Sequence, residues 1–212
     1  MIHIIVLYCY RKIVIYERLK NMGRLSEFVK FESGSPQFRI KQSTDTKAPV
    51  YTYYSQTDLF DDLSGIISND DLIKKQIKTN DSVCILAESD LVFSLISGTA
   101  AIVRKTHEGY LYTQNYVKMT SIKNIDSKFL VYLINENRFI KKQLLSGLQG
   151  SQVFKYTLSQ LKELRLPQIP SIDKQKIIGE VYFKQLRLKA LKNRVAELES
   201  KLILDKLKKG MM

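Results

Sequence analysis

The sequence predicts an α+β chain, with a mixed, mostly β domain over residues 23–170 and a long C-terminal α-helix over residues 171–212. Three observations carry this reading. Short β-branched and aromatic runs separated by turn residues fill the stretch from Leu25 to Val117, a helical apolar period takes over near Ser127, and no proline follows Pro170. With 212 residues there is room for one ordinary domain and an appendage, or two small domains. A content of 44% hydrophobic and 26% charged residues allows a buried core rather than disorder.

Residues 1–22 form an N-terminal extension. The segments Ile2-His3-Ile4-Ile5-Val6 and Ile13-Val14-Ile15 are β-rich but alternate poorly, so an irregular strand is expected. The apolar run from Met1 to Tyr10 falls short of the roughly 20 residues of a membrane span. Arg11 and Lys12 close it, and it has neither the preceding positive charge nor the following small-residue cleavage site of a signal peptide. Domain-like sequence begins at Arg24-Leu25-Ser26-Glu27-Phe28, which makes Met22 a candidate alternative start.

Strands are expected in Ala48–Tyr54, Ser82–Ala87, Leu91–Ile96 and Ala100–Arg104, with turns at Gly34-Ser35-Pro36, Asn80-Asp81, Ser97-Gly98 and Glu108-Gly109. Ser127 is placed to cap a helix with Leu130, Leu133, Ile134, Ile140 and Leu144 on its apolar face and Gly147 at its end. A short helix opens at Thr157 with Gln160 three residues on, a capping-box pattern. Arg165-Leu166-Pro167-Gln168-Ile169-Pro170 must then be extended, because proline excludes helix around it.

Beyond Ser171 the apolar residues Ile177, Val181, Leu188, Leu191, Val195, Leu198 and Leu202 follow steps of four and three, with Lys184 at the one interrupting position. A helix of roughly 35 residues, about 50 Å long, has no core of its own and needs a partner for that stripe. Packing on the β domain suits the first turns near Ile177 and Val181, whereas beyond Leu188 the other faces are charged and a partner helix is expected.

The chain holds 34 Lys+Arg and 21 Asp+Glu, a net charge of +13. Residues 1–137 carry 17 and 15 of these, so +11 of the net charge lies in residues 138–212. Such a balance points to a polyanion, nucleic acid before an anionic membrane. Two cysteines, Cys9 and Cys84, fit a reducing cytosol and are expected as reduced core or surface thiols.

The sequence contains no phosphate-binding loop with its lysine and no dinucleotide fingerprint, so no cofactor is expected. His3 and His107 have no Cys or His at ligand spacing, and no metal site is expected; each reads as a surface or core residue. The acid-x-lysine pairs Asp126-Ser127-Lys128 and Glu199-Ser200-Lys201 suggest nuclease chemistry, but a helix cap and a solvated helix face account for them. Asp61-Asp62 and Asp70-Asp71 read as loop and cap residues. Polar and aromatic groups interleave in Gln37–Gln42, Tyr51–Gln56, Tyr112–Tyr116 and Gln149–Lys155, as they do on surfaces that hold phosphates and read base edges.

The order of elements resembles the specificity subunit of type I restriction-modification systems, in a half-length form with one target-recognition domain and one conserved helical region. Five stretches carry the resemblance: Arg24–Pro36 with its opening leucine and Gly-x-Pro turn, Asp90-Leu91-Val92-Phe93-Ser94 before Gly98, Gln114-Asn115-Tyr116, Gly150-Ser151 followed by Leu158, Leu161 and Leu164, and the segment Leu166–Ile178 that starts the long helix. Asp173-Lys174 stands where the family favours Glu immediately before Gln.

The resemblance covers about residues 24–209. It implies a non-catalytic subunit that reads double-stranded DNA and holds methyltransferase (modification) and restriction/translocase subunits in the cytoplasm, away from membranes. Family members pair two antiparallel helices between two recognition domains. The chain is therefore expected either as a half-subunit that homodimerises through an antiparallel coiled coil at Leu188, Leu191, Val195, Leu198 and Leu202, or as a piece of a longer one. Candidate DNA contacts are Arg39, Lys41, Tyr53, Gln114, Asn115, Gln149, Ser151 and Gln152, with Lys155 on phosphate. A stand-alone metal-dependent nuclease and a coiled-coil adaptor without DNA specificity are the competing readings.

Overall fold

The computed structural model describes residues 23–67, 74–147 and 155–210. The N-terminal extension with His3 and Cys9, Asp70-Asp71, and Gln149, Ser151 and Gln152 lie outside the described residues. Four strands form an antiparallel sheet: β1 (Val29–Ser33), β4 (Leu91–Ser94), β5 (Ala100–Ile102) and β6 (Tyr116–Ser121), in the order β1-β6-β4-β5. β2 (Val50–Thr52) and β3 (Gln76–Lys78) make a separate antiparallel pair. Every residue of β4 is buried, as in a strand covered on both faces.

Helices α1 (Gln56–Ser64) and α2 (Ser127–Glu136) both pack on β5. At the sheet edge, Asn135 Nδ2 donates to the Ala100 carbonyl (2.9 Å) and its Oδ1 accepts from the Ala100 amide (2.8 Å). The side-chain amide thus stands in for a neighbouring strand and closes part of that edge.

Three local expectations are corrected. Ser82–Ala87 forms no strand; apart from an isolated bridge between Ile85 and Leu111, its backbone is taken up by the Ser35 hydroxyl and by Tyr110, Gly109 and Tyr112. The cap of α2 is Asp126 rather than Ser127, its Oδ1 accepting from the Phe129 amide at 2.9 Å. The helix expected to run on to Gly147 breaks at Asn137, whose side chain accepts from the amides of Phe139 (3.0 Å) and Ile140 (3.3 Å) and starts α3 (Arg138–Ser146). α4 (Leu158–Glu163) opens with the expected reciprocal cap, Thr157 Oγ1 accepting from the Gln160 amide and Gln160 Oε1 from the Thr157 amide. The chain then returns to its start, where the Leu25 amide donates to the Leu164 carbonyl (2.7 Å) and the Leu166 amide to the Gly23 carbonyl (3.0 Å).

A further correction concerns Asp61-Asp62, which lies within α1 instead of a loop. Asp62 is fully buried and takes hydrogen bonds from the Tyr54 hydroxyl (2.7 Å) and the Arg104 amide (3.0 Å). His107 is also buried, with Nδ1 at 2.8 Å from Asp62 Oδ1 and Nε2 at 3.2 Å from Asp58 Oδ1. Lys74 Nζ closes the cluster, donating to Asp58 Oδ1 (2.8 Å) and the Tyr110 hydroxyl (3.1 Å). This network joins α1 to the segment before β3 and to the turn holding His107, so it fixes the elements that flank the sheet. Burial pushes the Asp58 carboxyl up, but hydrogen bonds from Lys74 and Ser55 outweigh that and hold it below the usual carboxylate value.

The long helix α5 (Ile172–Gly210) is 39 residues, about 58 Å. Its root is locked against α2. Gln175 is 2% exposed; its Oε1 accepts from the Asp126 amide (2.9 Å), and its Nε2 donates to the carbonyls of Pro170 (2.9 Å) and Asn124 (3.3 Å). At Gly179 the helices approach so closely that a Cβ would lie 2.6 Å from Lys128 Cβ and 2.8 Å from the Phe129 nitrogen. Farther along, Tyr182 donates to Glu136 (3.0 Å) and Arg187 to the Gly65 carbonyl at the end of α1 (2.8 Å).

The residues turned to the domain are therefore Gln175, Ile178, Gly179, Tyr182 and Leu186. Ile177 and Val181, expected to pack on the domain, are 64% and 61% exposed. At about 100° per residue they project from the opposite side of the helix, on the same stripe as Leu188, Leu191, Val195 and Leu202.

Gly179→Ala is expected to cost about 1–3 kcal/mol in urea unfolding, since neither backbone can yield readily. Gly210→Ala, with open space around it, is the neutral control. Stability carried by the lowered Asp58 is present above the unfolded carboxylate value of 3.8 and is lost as pH falls through the lower folded value. Asp58→Asn should weaken that acid limb in unfolding curves taken across pH and cost about 2–4 kcal/mol at neutral pH, leaving His107 and Lys74 without their shared carboxylate.

Candidate nucleic-acid interface

Backbone crossings at one end of the sheet bring the predicted contact segments together. As β1 ends, the Gly34 amide donates to the Tyr116 carbonyl (3.2 Å), the Ser35 amide to the Tyr112 carbonyl (3.0 Å), and the Gln114 amide back to the Ser35 carbonyl (3.0 Å). A Cβ on Gly34 would fall 2.4 Å from the Thr113 carbonyl oxygen, so this crossing requires glycine. Pro36 then leads into a single 3₁₀ turn, Gln37–Arg39. Phe38 on this turn is 76% exposed, and the Arg39 guanidinium lies 5.5 Å from its ring centroid. Lys41 follows, its side chain exposed and its amide held by Asp81 Oδ2 at 2.7 Å.

Gln114 is exposed beside this turn, and Asn115 is half-buried. The Asn115 carbonyl accepts from the Leu95 amide (2.8 Å), and the Leu95 carbonyl accepts from the Tyr156 amide (2.8 Å), which draws the segment at Lys155 alongside. Lys155 Nζ donates to Asn115 Oδ1 at 2.7 Å. An ammonium has no acceptor, so this bond fixes the orientation of the Asn115 amide and leaves its N–H groups for other partners. Lys155, expected on phosphate, is tied to Asn115 by one of its three N–H donors.

Tyr53 is placed differently. It is 8% exposed, burial pushes its phenol up, and Lys75 Nζ sits 5.2 Å from its ring centroid. What this position offers to solvent is the exposed Lys75 rather than the tyrosine. Arg39, Lys41, Gln114, Asn115 and Lys155 are thus linked through one network of turns, with Tyr53 beneath Lys75 on the neighbouring ribbon. Gln149, Ser151 and Gln152 fall outside the described residues. Sequence reading missed Phe38 and Lys75. Phe38 lies within the interleaved segment Gln37–Gln42 but was not singled out there, and Lys75 is brought to Tyr53 by a backbone bond, the Tyr53 amide to the Lys75 carbonyl at 2.9 Å.

No cluster of His, Cys, Asp and Glu suited to a metal ion occurs among the described residues. Asp126 caps α2, Lys128 pairs with Glu180 of α5, and Glu199 and Lys201 stand exposed on α5; neither acid-x-lysine pair belongs to a group of three or more metal-binding side chains among the described residues.

Residues 18–200 match the family profile described as type I restriction modification DNA specificity domain. The chain belongs to this family. No curated protein sequence matches this specificity domain. Among solved structures, the HsdS subunit from Thermoanaerobacter tengcongensis superposes with a TM-score of 0.51 at 13% identity, over 88% of this chain and 42% of that one. A chain from a study titled "Structural basis underlying complex assembly and conformational transition of the type I R-M system" superposes with a TM-score of 0.59 at 15% identity, over 85% of this chain and 46% of that one. At these identities the likeness is one of fold, and the specificity domain spans less than half the length of either chain. No helix among the described residues is long and apolar enough to cross a membrane.

Proposed function

We propose that this specificity domain binds one half of an interrupted DNA site and that two copies join antiparallel through α5, presenting two half-sites to one duplex. It makes no chemical step of its own; methyltransferase and restriction subunits dock on the assembly and act on the DNA it selects, in the cytoplasm. The observation that carries the reading is the two-sided α5. One side is spent on α2 and α1, while Leu188, Leu191, Val195, Leu198 and Leu202 on the other are each 43–56% exposed. An apolar stripe of heptad period on a charged helix is stable when paired with another such stripe.

Two-fold symmetry makes the site palindromic. A helix of about 58 Å sets the half-sites roughly one and a half to two duplex turns apart, at about 34 Å per turn. Arg39, Lys41, Gln114 and Asn115 are the proposed base and backbone contacts, with Gln149, Ser151 and Gln152 on the adjoining segment and Lys75 above Tyr53 as a phosphate partner. A span of 42% and 46% of the two structural neighbours fits one recognition domain and one helix.

The full chain, offered a pool of randomised duplexes, should enrich an interrupted palindrome; enrichment of no sequence would defeat the reading. In sedimentation velocity the wild type should run as a dimer and the Leu191→Glu, Leu198→Glu double variant as a monomer. A monomeric wild type would defeat the paired-helix part alone.

A further inference from the structure

The most exposed large apolar side chain among the described residues is Phe38, at 76%. Hydration of that ring is unfavourable, and the turn carrying it does not bury it. The backbone around it is firmly held: the Arg39 amide donates to the Pro36 carbonyl (3.0 Å), the Ser35 carbonyl accepts from the Gln114 amide (3.0 Å), and Asp81 holds the Lys41 amide (2.7 Å). The ring is thus presented outward from a fixed support, next to exposed Gln114 and Lys41. Arg39 lies against its face at 5.5 Å, which orients the guanidinium without engaging its N–H donors.

A flat apolar ring beside a set of planar donors suits one feature of the major groove. Guanine offers two acceptors to an arginine, and thymine offers a C5-methyl group to an apolar contact. We infer that Phe38 is a specificity-determining residue that packs against the 5-methyl group of a thymine while Arg39 bonds to an adjacent base pair. The inference rests on the DNA reading proposed above and adds to it the chemical group that is read. The turn needs no change of shape for this, since the ring already stands clear of the domain.

The test is a cycle that removes each partner in turn. Duplexes carrying the sequence enriched by the full wild-type chain are compared with duplexes in which each thymine is replaced singly by uracil, which deletes the methyl group alone. At one position the wild type should lose about fourfold in affinity, the size of one buried methyl group. Phe38→Ala should bind the thymine duplex about as weakly as the wild type binds that uracil duplex, and should be indifferent to the replacement. Phe38→Leu, which keeps an apolar contact, should retain part of the discrimination. The inference is overturned if the two losses multiply, if Phe38→Ala weakens every duplex alike, or if the wild type ignores every thymine-to-uracil change. Failure of DNA recognition itself reads differently: the wild type then enriches no sequence, and the inference falls with it.

Discussion

The close packing of α5 on α2 is the constraint on which the architecture depends. Gln175 satisfies one amide and two carbonyls that would otherwise be left unpaired at the helix junction, and Gly179 lets the two backbones meet. Together they set which side of a 39-residue helix faces the domain. Everything on the far side follows from helical geometry. Ile177 and Val181 turn outward with the heptad residues beyond Leu188, so the stripe starts at the root of the helix, broken only at Lys184, instead of starting where the domain ends. The same contacts set the angle at which α5 leaves the domain.

The other end of the domain is shaped by polar groups rather than by the apolar core. The Asp58, Asp62, His107 and Lys74 cluster joins α1 to segments far apart in the chain, and the Gly34 crossing pins the turn at Gln37–Arg39 to the strand entry at Gln114. Buried charges need such complete partnership, since each ion removed from water costs several kcal/mol unless another replaces the solvent. Their yield here is positional: a loop-rich surface that would otherwise be mobile is tied to the sheet at several points. That firmness is what an interface needs if a handful of side chains are to select among base edges.

Much of this was readable from residue order alone, and the exceptions have physical causes. The capping box at Thr157 and Gln160 and the steps of four and three after Ile177 are local patterns, and both appear in the structure where the sequence puts them. The break at Asn137 was hidden because the apolar period continues through it, so Leu133 and Ile140 look like one face although two helices supply them. His107 and its aspartates are 45 and 49 residues apart, and no local rule connects them. Asp61-Asp62 read as loop and cap residues, whereas both lie within α1 and the second is hydrogen-bonded by partners distant in the chain. For the candidate contact residues, the sequence does not tell which side chains stand clear: Tyr53 is covered, Lys155 is tied to Asn115, and Phe38 is exposed. Those outcomes depend on where the backbone crosses itself.

The charge distribution acquires a more definite meaning with the fold in place. About half of the positive excess in residues 138–212 falls along α5 and the rest on the segments before it, where it is available to a polyanion or an acidic partner surface. The central claim is that this chain selects DNA for a separate catalyst. Methylation of a mixed DNA substrate by the modification subunits and S-adenosylmethionine, with and without the chain, tests that claim most directly. Methyl groups are expected at a single interrupted sequence only when the chain is present, with neither methylation nor cleavage by the chain alone. Methylation that ignores the chain, or metal-dependent cleavage by the chain alone, would contradict it.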